Sequence, residues 1–316
     1  MGATPAGTAG RRRGRVTRAA LAVVVVTALA VGTMSTVAAG RAAAAPVATH
    51  SSVGGYWLVG RDGGVFSFGS ARFYGSTGDL TLQRPVVGLA PTANHRGYWL
   101  VASDGGIFAF GDAGFYGSIP GLGIAPAGSK GPGPKLNAAV VGIVPTTNGR
   151  GYFLVASDGG VFAFGDARFE GSCPGVGGCD GVVKSVIPDA TGNGYWVVTT
   201  SGHVHVFGNA GYYGEPGQKK GIPVTSAERT PSGRGYWILF ANGVVFHYGD
   251  AVSYGSLPAH GAGGYDVATA IFATTSGDGY WIATADGNVY SFGFAPDKGS
   301  MAGHHLNGHI IDAAGW

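Results

Sequence analysis

The chain has 316 residues, a net charge of +3, 12% charged side chains and 61 glycines. Six of its 20 Lys and Arg residues and none of its 17 Asp and Glu residues fall in residues 1–45, so the remainder carries −3. A mildly acidic, Gly-rich domain without a basic stripe excludes a nucleic-acid partner, and two cysteines exclude a disulfide-dense scaffold.

Residues 1–45 read as an export signal. Arg11, Arg12, Arg13, Arg15 and Arg18 form the basic start, Leu21–Val31 is an uncharged apolar run, and small residues follow at 37–39 and 42–45. That layout predicts cleavage between residues 39 and 45. The competing expectation is an uncleaved anchor over Leu21–Ala39, long enough to span a bilayer, and membrane contact is expected only in that case. Residues 46–316 are expected to form a single secreted or cell-surface domain.

From residue 54 onward one unit recurs six times: Gly-Tyr-Trp, a short apolar run, Asp-Gly-Gly, an aromatic pair, Gly-Asp-Ala, Phe-Tyr-Gly-Ser. Its Tyr markers are Tyr56, Tyr98, Tyr152, Tyr195, Tyr236 and Tyr280, spaced 42, 54, 43, 41 and 44 residues apart. A period in the low forties filled with β-branched and aromatic residues predicts a propeller. Within residues 86–118 the pattern predicts four strands: Val86–Ala90, Tyr98–Ala102, Ile107–Phe110 and a short one from Phe115. Asp104-Gly105 predicts a two-residue type I′ hairpin. The residue before the turn Gly drifts through Asp62, Asp104, Asp158, Ser201, Asn242 and Asp286, all turn formers, which marks these carboxylates as turn chemistry. The repeated Tyr-Trp pairs read as core between units rather than as sugar-stacking platforms.

The first copy lacks a first strand, and His309–Ala314 resembles the missing piece. The expected fold is therefore all-β: a six-bladed propeller of four-stranded blades, with the C-terminal strand completing the first blade. Pro46–Thr49 could supply that strand instead. The alternatives are a seven-bladed-like array and an open β-solenoid of hairpins.

These repeats resemble the Gly-Tyr-Trp, Ser-Asp-Gly-Gly, Phe-Gly-Asp-Ala, Phe-Tyr-Gly-Ser modules of exported actinobacterial proteins. The resemblance covers residues 54–300 and weakens at the end, where Gly293-Phe294-Ala295 replaces Gly-Asp-Ala and Lys298 replaces the Tyr. It implies export and a propeller-like array, and carries over no catalytic residue.

Function is expected in what does not repeat. Two connections are enlarged, Ile119–Asn137 and Cys173–Gly181, and they should share a face with the Asp-Gly turns. Lys130, Lys135, Asp180 and Lys184 are the candidate binding residues on that face. Cys173 and Cys179 are expected to form a disulfide that stiffens one loop. His203 and His205, two apart on one strand, and His304, His305 and His309 near the tail are weak metal candidates, short of a ligand set. There are three Glu residues, Glu170, Glu215 and Glu228, each in a different repeat, and no Gly-x-Ser-x-Gly or His-Glu-x-x-His motif. The expectation is a monomeric recognition module, without cofactor, for envelope glycan or an extracellular protein. A secreted hydrolase or lyase with a central-channel site, and a purely structural surface protein, are the alternatives.

Overall fold

A computed structural model describes residues 54–316, apart from 218, 220, 261–266 and the side chains of 259 and 260. The described residues belong to one unit, His50–Trp316. The expected export signal lies outside them, as does Pro46–Thr49.

The described chain is all-β, with three short 3₁₀ turns and six three-stranded antiparallel sheets. In chain order the strands are β1 (Gly55–Gly60), β2 (Val65–Gly69), β3 (Val86–Pro91), β4 (Gly97–Ala102), β5 (Ile107–Gly111), β6 (Val140–Pro145), β7 (Gly151–Ala156), β8 (Val161–Gly165) and β9 (Val183–Pro188). They continue as β10 (Gly194–Thr199), β11 (Val204–Gly208), β12 (Val224–Arg229), β13 (Gly235–Phe240), β14 (Val245–Gly249), β15 (Ala268–Ala273), β16 (Gly279–Thr284), β17 (Val289–Gly293) and β18 (Ile310–Gly315). Five sheets take consecutive strands. The first is β18-β1-β2, in which Trp57 pairs with Ala314 and Leu58 with Ala313. The C-terminal segment thus supplies the strand that the first repeat lacks.

The leading strands β18, β3, β6, β9, β12 and β15 touch one another in that order, and β15 touches β18 again. Successive sheets therefore follow a cycle rather than the line of an open solenoid. Each middle strand is pressed between neighbouring sheets and is buried at all six positions. That is why the Gly-Tyr-Trp run reads as continuously apolar rather than alternating.

The Tyr and Trp of each pair have separate jobs. Trp99 Nε1 donates to the Gly114 carbonyl at 2.7 Å, and Trp57, Trp196, Trp237 and Trp281 each reach the carbonyl fifteen residues on. The Tyr hydroxyl crosses to the preceding repeat. Tyr98 donates to Gly75 O, Tyr152 to Gly117 O and Tyr280 to Gly255 O, each at 2.5 Å, and Tyr236 donates to Gly214 O at 2.6 Å. Tyr195 does the same to Gly171, and Tyr56 to Gly299, joining the first repeat to the last. Burial pushes the Tyr195 hydroxyl up to about 12, so it stays a donor throughout the physiological range.

Two expectations are corrected. No fourth strand forms at Phe115-Tyr116. The Tyr116 N–H is taken by Tyr152 Oη at 3.1 Å, and its own hydroxyl donates to Gly149 O at 2.8 Å. The segment straps the seam to the next sheet instead of pairing with its own, and leaves Phe115 exposed. The hairpins also are not type I′. Gly105 has φ +79°, while Asp104 is not left-handed. Gly105 N donates to Ala102 O and Ala102 N to Gly106 O, at 2.8 and 2.9 Å. This is a three-residue loop ending in a left-handed Gly bulge. The Asp104 carboxylate accepts the Gly106 N–H at 2.9 Å, and Asp62, Asp158 and Asn242 do likewise, which bears out their reading as turn formers.

The Asp of Gly-Asp-Ala is structural as well. Asp112 accepts Thr92 Oγ1 at 3.0 Å and Asn94 Nδ2 at 2.7 Å, tying the Gly-Asp turn to the turn before the middle strand. Asp166 and Asp250 repeat the arrangement. In the sixth repeat Phe294 stands in the Asp column, and Asp278, placed within the turn itself, accepts the Thr274 and Ser276 hydroxyls instead.

Candidate functional site in the central cavity

Scaffold groups repeat, so a site should be built from side chains that do not. The leading strands hold them. In the second and third sheets these strands read Val-Val-Gly-Leu-Ala-Pro and Val-Val-Gly-Ile-Val-Pro. In the fourth, fifth and first they carry Lys184 and Ser185, then Ser226, Glu228 and Arg229, then Asp312. All six residues line a cavity of about 450 Å³ bounded by every leading strand.

Three of these side chains clip adjacent strands together. Asp312 Oδ2 accepts the Leu89 N–H at 3.0 Å, Ser185 Oγ the Ala227 N–H at 3.2 Å, and Ser226 Oγ the Ile271 N–H at 3.3 Å. Arg229 is committed to the rim, donating to the Thr230 and Pro231 carbonyls at 3.2 and 3.4 Å. Among the described residues Glu228 makes no ion pair, and Lys184 makes none with Asp312.

Glu228 and Asp312 lie deep among protein atoms but keep some surface toward the cavity. Burial, with the charge of Asp312 added to it, pushes Glu228 up to about 7 against the pull of Arg229. Burial pushes Asp312 up to about 6, against the Leu89 and Ala313 N–H groups and Lys184. Lys184 and Asp312 belong to sheets three places apart in the cycle, so they act on each other across the cavity.

A stability consequence follows. The folded state holds the Glu228 proton more tightly than the unfolded chain does. Stability is therefore lost as pH rises from about 4.5 through about 7. Glu228→Gln should gain about 2 kcal/mol at pH 8, after allowance for water reaching the cavity, and almost nothing at pH 4. Urea unfolding of both proteins at the two pH values checks this; equal stability at pH 8 would refute it.

The sequence-predicted site residues do not converge. Lys130 and Lys135 are exposed on the Ile119–Asn137 connection, and Asp180 is exposed after the disulfide loop. Lys184 leaves this group, because it sits on β9 and lines the cavity. The connections do share a face with the Asp-Gly turns: Ile119 N donates to Gly105 O and Cys173 N to Gly159 O, each at 3.2 Å. Cys173 and Cys179 are joined by a disulfide.

The histidines are dispersed. His203 Nδ1 lies 3.0 Å from Glu215 Oε1, and His205 Nε2 accepts the Asp180 N–H at 3.3 Å. Burial works against ionisation of Glu215, but the Val204 N–H and His203 outweigh it and hold this carboxyl below its usual range. His304, His305 and His309 are exposed. Among the described residues no three His, Cys, Asp or Glu side chains group as metal ligands. The cavity residues Ser185, Ser226, Glu228, Arg229 and Asp312 were missed. Aligning the six first strands column by column would have shown them as departures from Val-Gly-Leu-Ala.

The fold is propeller-like. Among solved structures, a chain in the crystal structure of a nidogen/laminin complex shares it with a TM-score of 0.54, over 83% of this chain and 98% of that one, at 10% identity. No protein-family model matches the chain, and no curated protein matches its sequence. No helix among the described residues is long and apolar enough to cross a membrane.

Proposed function

We propose that this chain is an exported, non-enzymatic recognition module of the actinobacterial repeat type, a closed six-bladed propeller that engages envelope glycan or an extracellular protein. The supporting observation is that the two unrepeated connections are built into the turn face. Ile119 and Cys173 anchor them by the contact that Thr77, Leu257 and Met301 make in other repeats. Beyond that shared anchor, Leu136 is nearly buried and Ala125 bridges Lys135 in the first connection, and the Cys173–Cys179 disulfide closes the second. An irregular surface held this firmly loses little ordering entropy on binding. The nidogen/laminin structure is that of a protein complex, which lends support to a protein partner.

Pull-down on purified actinobacterial cell wall and a screen of extracellular proteins test this reading. Retention without turnover is expected, weakened at least fivefold by Lys130→Glu with Lys135→Glu at unchanged Tm. Binding indifferent to that pair would overturn the turn-face assignment. A second reading, a hydrolase with a channel site, rests on Glu228 and Asp312 lining one cavity with raised affinities for protons. Turnover lost in Glu228→Ala would establish it in place of the first.

A further inference from the structure

We infer that the central cavity is itself a binding site for one or two sugar rings, with apolar side chains from the second and third sheets and hydrogen-bonding side chains from the fourth, fifth and first. The cavity has a polarity that its repeats do not require. On one side Val87, Leu89, Val141 and Ile143, from the second and third sheets, offer only hydrocarbon. Across from them the fifth sheet brings Ser226 and Glu228 and the sixth brings Thr269 beside Ile271 and Phe272, while Lys184 and Asp312 face each other from the fourth and first.

The polar side chains supply both kinds of hydrogen-bonding partner. Ser185 and Ser226 accept backbone N–H groups and keep their hydroxyl protons to donate. Lys184 adds ammonium donors. Glu228 and Asp312 are acceptors when ionised, and among the described residues no ion pair neutralises Glu228. A sugar hydroxyl both donates and accepts, so it can satisfy all of these at once. A simple amine would leave the serines and Lys184 without acceptors. A simple carboxylate would meet Glu228 and Asp312 at close quarters. A volume of about 450 Å³ falls within the range of small-ligand pockets. The same six strands in an all-scaffold array would repeat Val-Val-Gly-Leu-Ala, as the second and third nearly do. Burying the Glu228 carboxyl costs stability, and no ion pair among the described residues offsets it, so its presence needs a use beyond packing.

This inference rests on the cavity and not on the turn face, so the two fail separately. Saturation-transfer NMR on the full exported chain would use glucose, galactose, arabinose, N-acetylglucosamine, trehalose and cellobiose as probes, with hexylamine and glutarate as controls. At least one saccharide should bind with a dissociation constant of 10 mM or tighter. Ile143→Trp, which fills the cavity from its apolar side, should weaken that binding at least tenfold. Lys130→Glu with Lys135→Glu should leave it unchanged. Should Ile143→Trp fold poorly, Ser226→Val is the second variant, expected to weaken saccharide binding at least fivefold. No saccharide signal from the wild-type chain, hexylamine or glutarate alone binding, or saccharide binding undiminished in a folded cavity variant would each overturn the inference.

Discussion

Removing residues 304–316 should abolish the single cooperative unfolding transition. The lost segment contains β18, and with it the whole ladder from Tyr56–Gly315 to Gly60–Ile310. Ile310, fully buried in the core formed with Tyr56, Phe272 and Trp281, goes too. So does Asp312, whose carboxylate bridges to Leu89, and Trp316, which packs on Trp57 with ring centroids 4.9 Å apart. The leading strands on either side, β15 and β3, would each lose a neighbour. The first sheet would keep only β1 and β2, and a two-stranded hairpin is not stable alone in water. Its open edge would also invite pairing with other chains. The expected loss exceeds about 5 kcal/mol, a large part of the stability of an ordinary domain. Calorimetry of the two chains decides the point: a truncated chain that melts as sharply, and at the same temperature, shows that the repeats are held without closure.

Gly117→Val should cost about 3–5 kcal/mol, one of the largest single-residue effects available in this chain. Gly117 has φ +132°, where a β-branched residue is strained, and a Cβ there would lie 2.7 Å from Phe164 Cδ1 in the next sheet. Its carbonyl accepts the Tyr152 hydroxyl, so any backbone shift that relieves the clash also spoils the link between sheets. Gly133→Val is the control. Its φ is +104°, but no atom lies within 4 Å of its notional Cβ, so it isolates backbone strain from packing. Denaturant midpoints should separate the two variants by at least about 2 kcal/mol. Equal losses would mean that the close approach of the sheets at Gly117 contributes nothing.

The recurrence of Gly at this column shows how one physical requirement writes itself into a sequence. Gly75, Gly117, Gly171, Gly214, Gly255 and Gly299 all have left-handed φ, and each notional Cβ meets the third-strand aromatic of the following sheet. The repeat declared that these residues were scaffold. It did not say that the segment holding them would strap a seam rather than form a strand. Phe-Tyr has high strand propensity, and propensity is local. What overrides it is the hydroxyl of a Tyr some 23 to 36 residues ahead, which takes the N–H that a ladder would need.

The hairpin was misread for a related reason. Asp-Gly fits both a two-residue and a three-residue turn, and register against the partner strand chooses between them. The turn-forming Asp residues were read correctly because their replacement by Asn in a sister repeat left the same side-chain oxygen in place.

By itself, the sequence determined the all-β class, the number of repeats and the buried Tyr-Trp columns, and it narrowed the missing strand to two segments, of which the pairing of β18 with β1 shows the C-terminal one in place. Each of these is a local pattern copied several times within one chain, and copying averages out local ambiguity. The tertiary structure alone decided which side chains meet at the axis. Lys184, Glu228 and Asp312 are far apart in sequence, each occurs once, and each reads locally as an ordinary polar residue in a short strand. Only the cyclic order of the sheets turns them toward one cavity, where burial gives two carboxyls an unusual hold on their protons and the charge of Asp312 adds to the hold of Glu228.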